Sequence, residues 1–322
     1  MRFNLIYVFY LILFILSLLA LGFEAKNLTK SVTKNLPSAN TDSRFFNAYI
    51  STFKPNKNSL NIYSDEIVDQ GIKNKIYLVR PKGDLGPKRE TFFEGLSGVV
   101  DRNNSILQVS NNVLIKQASA ITSADQLFFN YKDNSATASG NIASLVNDSK
   151  REVKISSREL NISDAGAKLT YLGLVNGQIK DLNSKSYRNI EFKSDLLTYN
   201  DFKKIIFLEG NAYIKRGKSE ISAINGNIWL NNNGSGVKYF VMNDDVKLKD
   251  EYISSRGKRV FRNSISEKIE GFATEEKLVL SGFPQVEQEG DIIKGNEIII
   301  REDQEMIEII NTNSQFKLIN RK

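Results

Sequence analysis

The chain has 322 residues, 41% hydrophobic and 25% charged, which suits one or two folded domains. It contains no cysteine and no histidine. That excludes disulfides, a thiolate nucleophile and a cysteine-based metal site, and removes the commonest general base and metal ligand. The net charge of +7 is concentrated at the start. Residues 1–60 hold seven basic and two acidic side chains and the rest 37 and 35, so the body lacks the footprint of a nucleic-acid-binding face.

In chain order, Leu5 to Phe23 (LIYVFYLILFILSLLALGF) comes first. It is an uncharged, mainly apolar run of 19 residues. As a helix it is long enough to cross a bilayer core, and it exceeds the apolar region usual in a signal peptide. Residues 1–23 are expected to form an N-terminal transmembrane anchor. Small residues at Ala20-Leu21-Gly22 keep cleavage open as an alternative. Arg2 precedes the span and Lys26, Lys30 and Lys34 follow it, so charge does not fix the orientation. A large following domain translocates despite such charges, so the expectation is N-terminus inside, body outside. Residues 24–44 read as a polar linker.

After about residue 45 the apolar residues alternate with period two in short runs broken by Asn, Asp, Gly, Ser and Lys, an all-β pattern. The run IIFLEGNAYIKRG, Ile205 to Gly217, tests it. A hairpin turn at Gly210-Asn211 would pair Leu208 with Tyr213 and Ile206 with Lys215, placing a charge on the most apolar face. A strand running straight through keeps Ile206, Leu208, Gly210, Ala212 and Ile214 on one non-polar face. The straight strand is the better reading.

The same phase recurs. Leu107, Val109, Asn111, Val113 and Ile115 share it, as do Ala136, Ala138, Gly140 and Ile142. So do Gly173, Val175, Gly177 and Ile179; Phe240, Met242, Asp244, Val246 and Leu248; and Leu278, Leu280, Gly282, Pro284 and Val286. The pivots Asn111, Gly140, Gly177, Gly210, Asp244 and Gly282 lie 29, 37, 33, 34 and 38 residues apart, room for two or three strands each. A Gly, Asn or Asp pivot suggests a bend or bulge. Between pivots lies a second strand type, as in ITSADQLFFNY (Ile121 to Tyr131), EFKSDLLTYN (Glu191 to Asn200) and EISAINGNIWLN (Glu220 to Asn231).

The object is a stack of antiparallel strand pairs sharing one interior. That interior reads either as a closed core or as a half-open apolar slot. Small inward residues (Ala136, Ala138, Ala212, Gly173) and the lack of bulky aromatic filling favour the slot. Its expected lining is Leu107, Val109, Val113, Ile115, Ala138, Ile142, Ile206, Leu208, Ala212, Ile214, Leu278, Leu280 and Val286. No catalytic residue, metal ligand or cofactor is expected. The acidic pairs Asp65-Glu66, Asp244-Asp245 and Glu275-Glu276 are adjacent, so on a strand they point to opposite faces. Trp229 reads as packing. The basic-rich run from Lys73 to Arg89 reads as a solvated loop, with attraction to lipid phosphates as the alternative.

The segments LEGNAYIKRGKSEISAINGNIWLN (Leu208 to Asn231), LVLSGFPQVEQEGDIIKGNEIIIRED (Leu278 to Asp303) and ITSADQLFFNYKDNSATASGNI (Ile121 to Ile142) resemble the repeating unit of the OstA-like periplasmic lipopolysaccharide-transport family. The span, the linker and SLNIYSDEIVDQGIKNKIYLVRPKGDL (Ser59 to Leu85) resemble its membrane-anchored branch. The resemblance covers roughly residues 45–322. It implies a twisted, elongated, half-open β-jellyroll: residues 45–165 as a membrane-proximal LptC-like module, and 166–322 as an LptA-like module continuous with it or separate. It also implies binding of lipopolysaccharide acyl chains and partnership with inner-membrane ABC transporter permease subunits and other periplasmic β-jellyroll bridge proteins. The expected location is the inner membrane, single-pass, with the body in the periplasm of a Gram-negative bacterium.

No Gly-x-x-x-x-Gly-Lys-Ser/Thr loop is present, so the driving force would come from elsewhere. Unpaired edges near Asn61 to Leu85 and in the tail Asn313 to Lys322, with Phe316 and Leu318, are expected to dock partners. A carbohydrate-active β-solenoid enzyme and a surface adhesin or stalk are the alternatives from other classes.

Overall fold

A computed structural model describes residues 42–54, 57–85, 91–117, 120–147, 151–163, 167–182, 189–231, 236–301, 306–310 and 315–317. The expected anchor at 1–23, most of the linker and Leu318 lie outside the described residues. Among the described residues no helix is long and apolar enough to cross a membrane.

Among the described residues from Ser43 onward, 22 strands form one antiparallel sheet, with a single 3-10 turn at Gly71–Lys73. The first strand, β1 (Ser43–Lys54), pairs with β2 (Lys57–Gln70). Two short strands, β3 (Lys75–Val79) and β4 (Lys82–Leu85), both pair with β2 and act as halves of one rung. The next rung is likewise split into β5 (Thr91–Glu94) and β6 (Ser97–Asp101). Ten long strands follow as a meander: β7 (Ile106–Gln117), β8 (Ala120–Asn130), β9 (Ser135–Asn147), β10 (Arg151–Ser163), β11 (Lys168–Asp181), β12 (Ile190–Asn200), β13 (Ile205–Arg216), β14 (Ser219–Leu230), β15 (Val237–Ile253) and β16 (Arg259–Phe272). The last rungs are split again, into β17 (Lys277–Ser281) and β18 (Gln285–Gln288), β19 (Asp291–Lys294) and β20 (Glu297–Arg301), and β21 (Ile307–Ile310) and β22 (Gln315–Lys317). The sheet continues across residue 165, where β10 and β11 pair along their length.

β13 runs unbroken through Gly210-Asn211, and the hairpin turn sits at its end, where Arg216 pairs with Ser219. Gly210 and Asn211 both have positive φ, 71° and 49°. On each side β13 spends one residue more than its neighbour: Glu209 to Ala212 faces Asn225 to Ala223, and Glu209 to Tyr213 faces Leu196 to Lys193. This is a β-bulge, and the paired left-handed residues preserve the inward phase across it. A glycine suits the first position because a Cβ there would lie 2.6 Å from Asp195 Oδ2.

The same one-residue bulge, with two consecutive positive-φ residues, occurs at Asn111-Asn112, Gly140-Asn141, Gly173-Leu174, Asp244-Asp245 and Gly282-Phe283. The sequence pattern located five of these six pivots and misplaced one. The expected pivot Gly177 is four residues late. It lies in regular pairing between Ile155 and Phe192, and a Cβ there would meet the Phe192 ring at 2.0 Å. That glycine makes room for an aromatic ring rather than for a bend.

Side chains brace the bulges. Asn141 donates its Nδ2–H to Asp125 Oδ2 at 2.8 Å, and Asn211 does the same to Asp195 Oδ2 at 2.8 Å. The intervening strands place a buried small residue just before the bracing position, as in Ala124-Asp125 and Ser194-Asp195. Arg80, also at positive φ, lies between β3 and β4 and pairs with Asp65 at 2.6 Å.

Candidate functional site

Alternation sends every second side chain of each strand to a common interior, where the buried residues form one continuous hydrophobic cluster from Leu60 to Ile300. All thirteen residues expected to line it lie there at 1% exposure or less: Leu107, Val109, Val113, Ile115, Ala138, Ile142, Ile206, Leu208, Ala212, Ile214, Leu278, Leu280 and Val286. Their outward neighbours, such as Gln108, Thr137 and Phe207, are more exposed.

The interior is packed in this form. The expectation that it lacks aromatic filling fails: Phe93, Phe129, Tyr171, Phe192, Tyr199 and Phe240 are all buried in it. Several rings occupy space left by inward glycines on the next strand, Phe93 beside Gly83, Phe192 beside Gly177 and Phe240 beside Gly271. Small residues therefore mark places filled from the adjacent rung. Burial pushes the hydroxyls of Tyr171 and Tyr199 upward, the latter also through its hydrogen bond to Asp201 at 2.6 Å, so both stay neutral.

The apolar interior ends in a charged rim that sequence reasoning missed. Arg151, Asp181, Arg216, Asp250 and Arg262 are buried at strand ends. Arg216 pairs in register with Ser219, whose hydroxyl donates to Asp250 Oδ1 at 2.7 Å. Asp250 faces Arg262, which donates to its Oδ2 from Nε at 3.0 Å and from Nη2 at 2.5 Å and lies 4.5 Å from the Tyr252 ring centroid. The signal was available. Extending the phase Ile206, Leu208, Gly210, Ala212, Ile214 by one step lands on Arg216.

The acidic pairs are tied up locally. Asp244 accepts from Asn225 at 2.9 Å and Asp245 from Lys247 at 2.9 Å, both exposed at a bulge. Within the basic-rich run, Arg80 is held by Asp65 and Lys82 lies over the Tyr63 ring at 4.6 Å, so these belong to rungs rather than to a loop. Trp229 packs outside the interior against Tyr239, which also stacks near Phe272 and donates to Glu270. A surface cavity of about 560 Å³ spans β9 to β12, with Ala143, Lys154, Gln178 and Lys193 in its lining, apart from the thirteen residues.

The edges differ from expectation at the N-terminal end. Asn61 to Leu85 is covered on both sides, because β2 pairs with β1 as well as with β3 and β4. Among the described residues the edge is β1, which exposes Phe46 at 67% and Tyr49 at 76%. At the other end Phe316 pairs through its backbone with Ile293.

These features define a bulged antiparallel β-jellyroll with a continuous apolar interior. Residues 191–306 match the family described as LptA/(LptD N-terminal domain) LPS transport protein, in line with the resemblance read from the sequence. Among solved structures the chain is similar to LptH, the LptA homologous periplasmic component of the conserved lipopolysaccharide transport device from Pseudomonas aeruginosa. The likeness has 13% identity and a TM-score of 0.35, over 41% of this chain and 95% of that one. No curated protein matches the chain.

Proposed function

We propose that this protein is a membrane-anchored component of a periplasmic lipopolysaccharide-transport bridge, with its body in the periplasm and Leu5 to Phe23 as the anchor. The observation that carries this reading is the single buried aliphatic phase shared by all six bulged rungs, within a chain whose residues 191–306 match a lipopolysaccharide-transport family. Acyl chains enter that phase; the sugar head stays in water.

The packed interior bears on the energetics. An acyl chain leaving water gains about 0.8 kcal/mol per CH₂. Entering a filled interior, it must displace side-chain contacts of comparable density, which offsets part of that gain. Successive rungs present similar faces, so each step along the sheet costs little net free energy. Direction is then imposed by inner-membrane ABC transporter permease subunits. The β1 edge and the C-terminal tail segment, with Phe316 and Leu318, dock those subunits and further bridge jellyrolls by strand addition.

A packed core also suits a stalk or adhesin, and depletion of the protein separates the two. Depletion of a bridge component halts delivery, so newly made lipopolysaccharide accumulates in the inner membrane. Normal delivery to the outer membrane after depletion would refute the transport reading.

A further inference from the structure

Most inward side chains are apolar, but three hydroxyls meet within the interior. Thr122 on β8 and Ser144 on β9 stand opposite each other in register, flanked by Ile115 on β7 and Ile155 on β10. Both are buried, and their hydroxyl oxygens lie 2.7 Å apart. The third is Tyr171 on β11, fully buried, whose phenol lies close enough to Ser144 for that hydroxyl to act on it.

Register shows how they meet. Through Leu160, Tyr171 is aligned with Ala138, which lies on β9 well before Ser144. Along a straight strand at about 3.3 Å per residue, Ala138 and Ser144 would stand about 20 Å apart, beyond a phenol's reach. The Gly140-Asn141 bulge lies between them, so the rung folds there and Tyr171 reaches from one half of it to the other.

The trio is not saturated. Each hydroxyl carries one donor proton and acceptor lone pairs. Thr122 and Ser144 bond to one another, whereas the Tyr171 hydroxyl falls short of a hydrogen bond with any described residue. Burial holds it protonated, so what it lacks is an acceptor. A buried hydroxyl left unpaired bears the full cost of losing water, and a partner arriving from outside the chain recovers it. The surroundings select that partner. Leu160 and Leu197 stand beside Tyr171 in register, so the acceptor has to arrive on an otherwise apolar molecule.

Building on the transport reading above, we propose that Thr122, Ser144 and Tyr171 form a binding site for a hydroxyl group carried on an acyl chain. The chain's hydroxyl accepts from Tyr171 and donates to the Ser144–Thr122 pair, so both of its capacities are used. A plain hydrocarbon chain leaves the phenol unpaired. The site thus distinguishes hydroxylated from plain acyl chains at a point where the neighbouring aliphatic contacts are blind to the difference.

The test uses the full-length protein with a photoreactive residue at Leu208, which shares a register row with Tyr171 through Leu197. It is presented in detergent with tetradecanoic acid or with its monohydroxylated forms, the hydroxyl near the carboxyl end, in mid-chain or near the methyl end. At least one hydroxylated form is expected to be captured several-fold better than the plain acid. Tyr171→Phe removes only the unpaired oxygen, and is expected to abolish that preference while capture of the plain acid persists. If Tyr171→Phe captures neither, Ser144→Ala is read in its place with the same expectation. Capture of the plain acid by the parent protein with no hydroxylated form preferred overturns the proposal and leaves the groove reading intact. So does an undiminished preference in the variant. Capture of no acid by the parent sinks the groove reading and this proposal with it.

Discussion

Gly210 and Asn211 sit at positive φ, and Asp195 closes the bulge from the neighbouring strand. Gly210→Ala should destabilise the protein by about 1–2 kcal/mol from backbone strain alone. The approach of the new Cβ to Asp195 adds to that cost. Chemical denaturation measures it, and an unchanged midpoint would contradict the strained-bulge account. Arg262 and Asp250 allow a sharper comparison. Arg262→Met leaves a buried carboxylate without its main partner and should cost about 3–5 kcal/mol. The double variant Asp250→Leu/Arg262→Met removes both charges and should recover most of that loss. A double variant as unstable as the single one would show that the rim pair is held by more than mutual charge. At this scale the sequence was a partial guide. Glycine marks both a bend (Gly210) and a close ring approach (Gly177), and only the fold separates the two. The rim arginines were passed over because charge at a strand end reads as solvent-facing until the opposite edge is seen to cover it.

The rung is the element, and its inward phase was legible because alternation persists through the bulge. Two left-handed residues plus one extra position return the chain to the same face, so Ile206 to Leu208 and Ala212 to Ile214 stay aligned. Leu208→Ala should therefore cost about 2–5 kcal/mol as a core truncation. Phe207→Ala, on the outward face, should cost clearly less despite the larger side chain removed. Equal losses would mean that the two faces have been assigned wrongly. What alternation could not reveal was the filling. Phe192 and Phe240 occupy the space of glycines on adjacent strands, a pairing that depends on register and not on any property of either segment alone. The N-terminal edge was misread for a related reason. β1 alternates weakly through Asn47 and Ser51, and its pairing to β2 is a long-range fact.

Among the described residues the rungs form one sheet, with one apolar interior from Leu60 to Ile300, and β10 pairs with β11 on either side of the module boundary expected near residue 165, where continuity was left open. A path for acyl chains needs that continuity, because each rung must hand its ligand to an equivalent neighbour. The family match covers residues 191–306, while the same bulged unit extends back to Asn111-Asn112. If the interior is a lipid path, lipid contact is expected along the whole sheet, not only within the matched segment. The direct measurement is in-cell photo-crosslinking with single probes at Val109, Ala138, Leu208 and Val286, each compared with its outward neighbour Gln108, Thr137, Phe207 or Glu287. Lipopolysaccharide should be captured at all four inward positions and at none of the outward ones. Capture at both faces alike, or at neither, would contradict the claim that this interior is a lipid path.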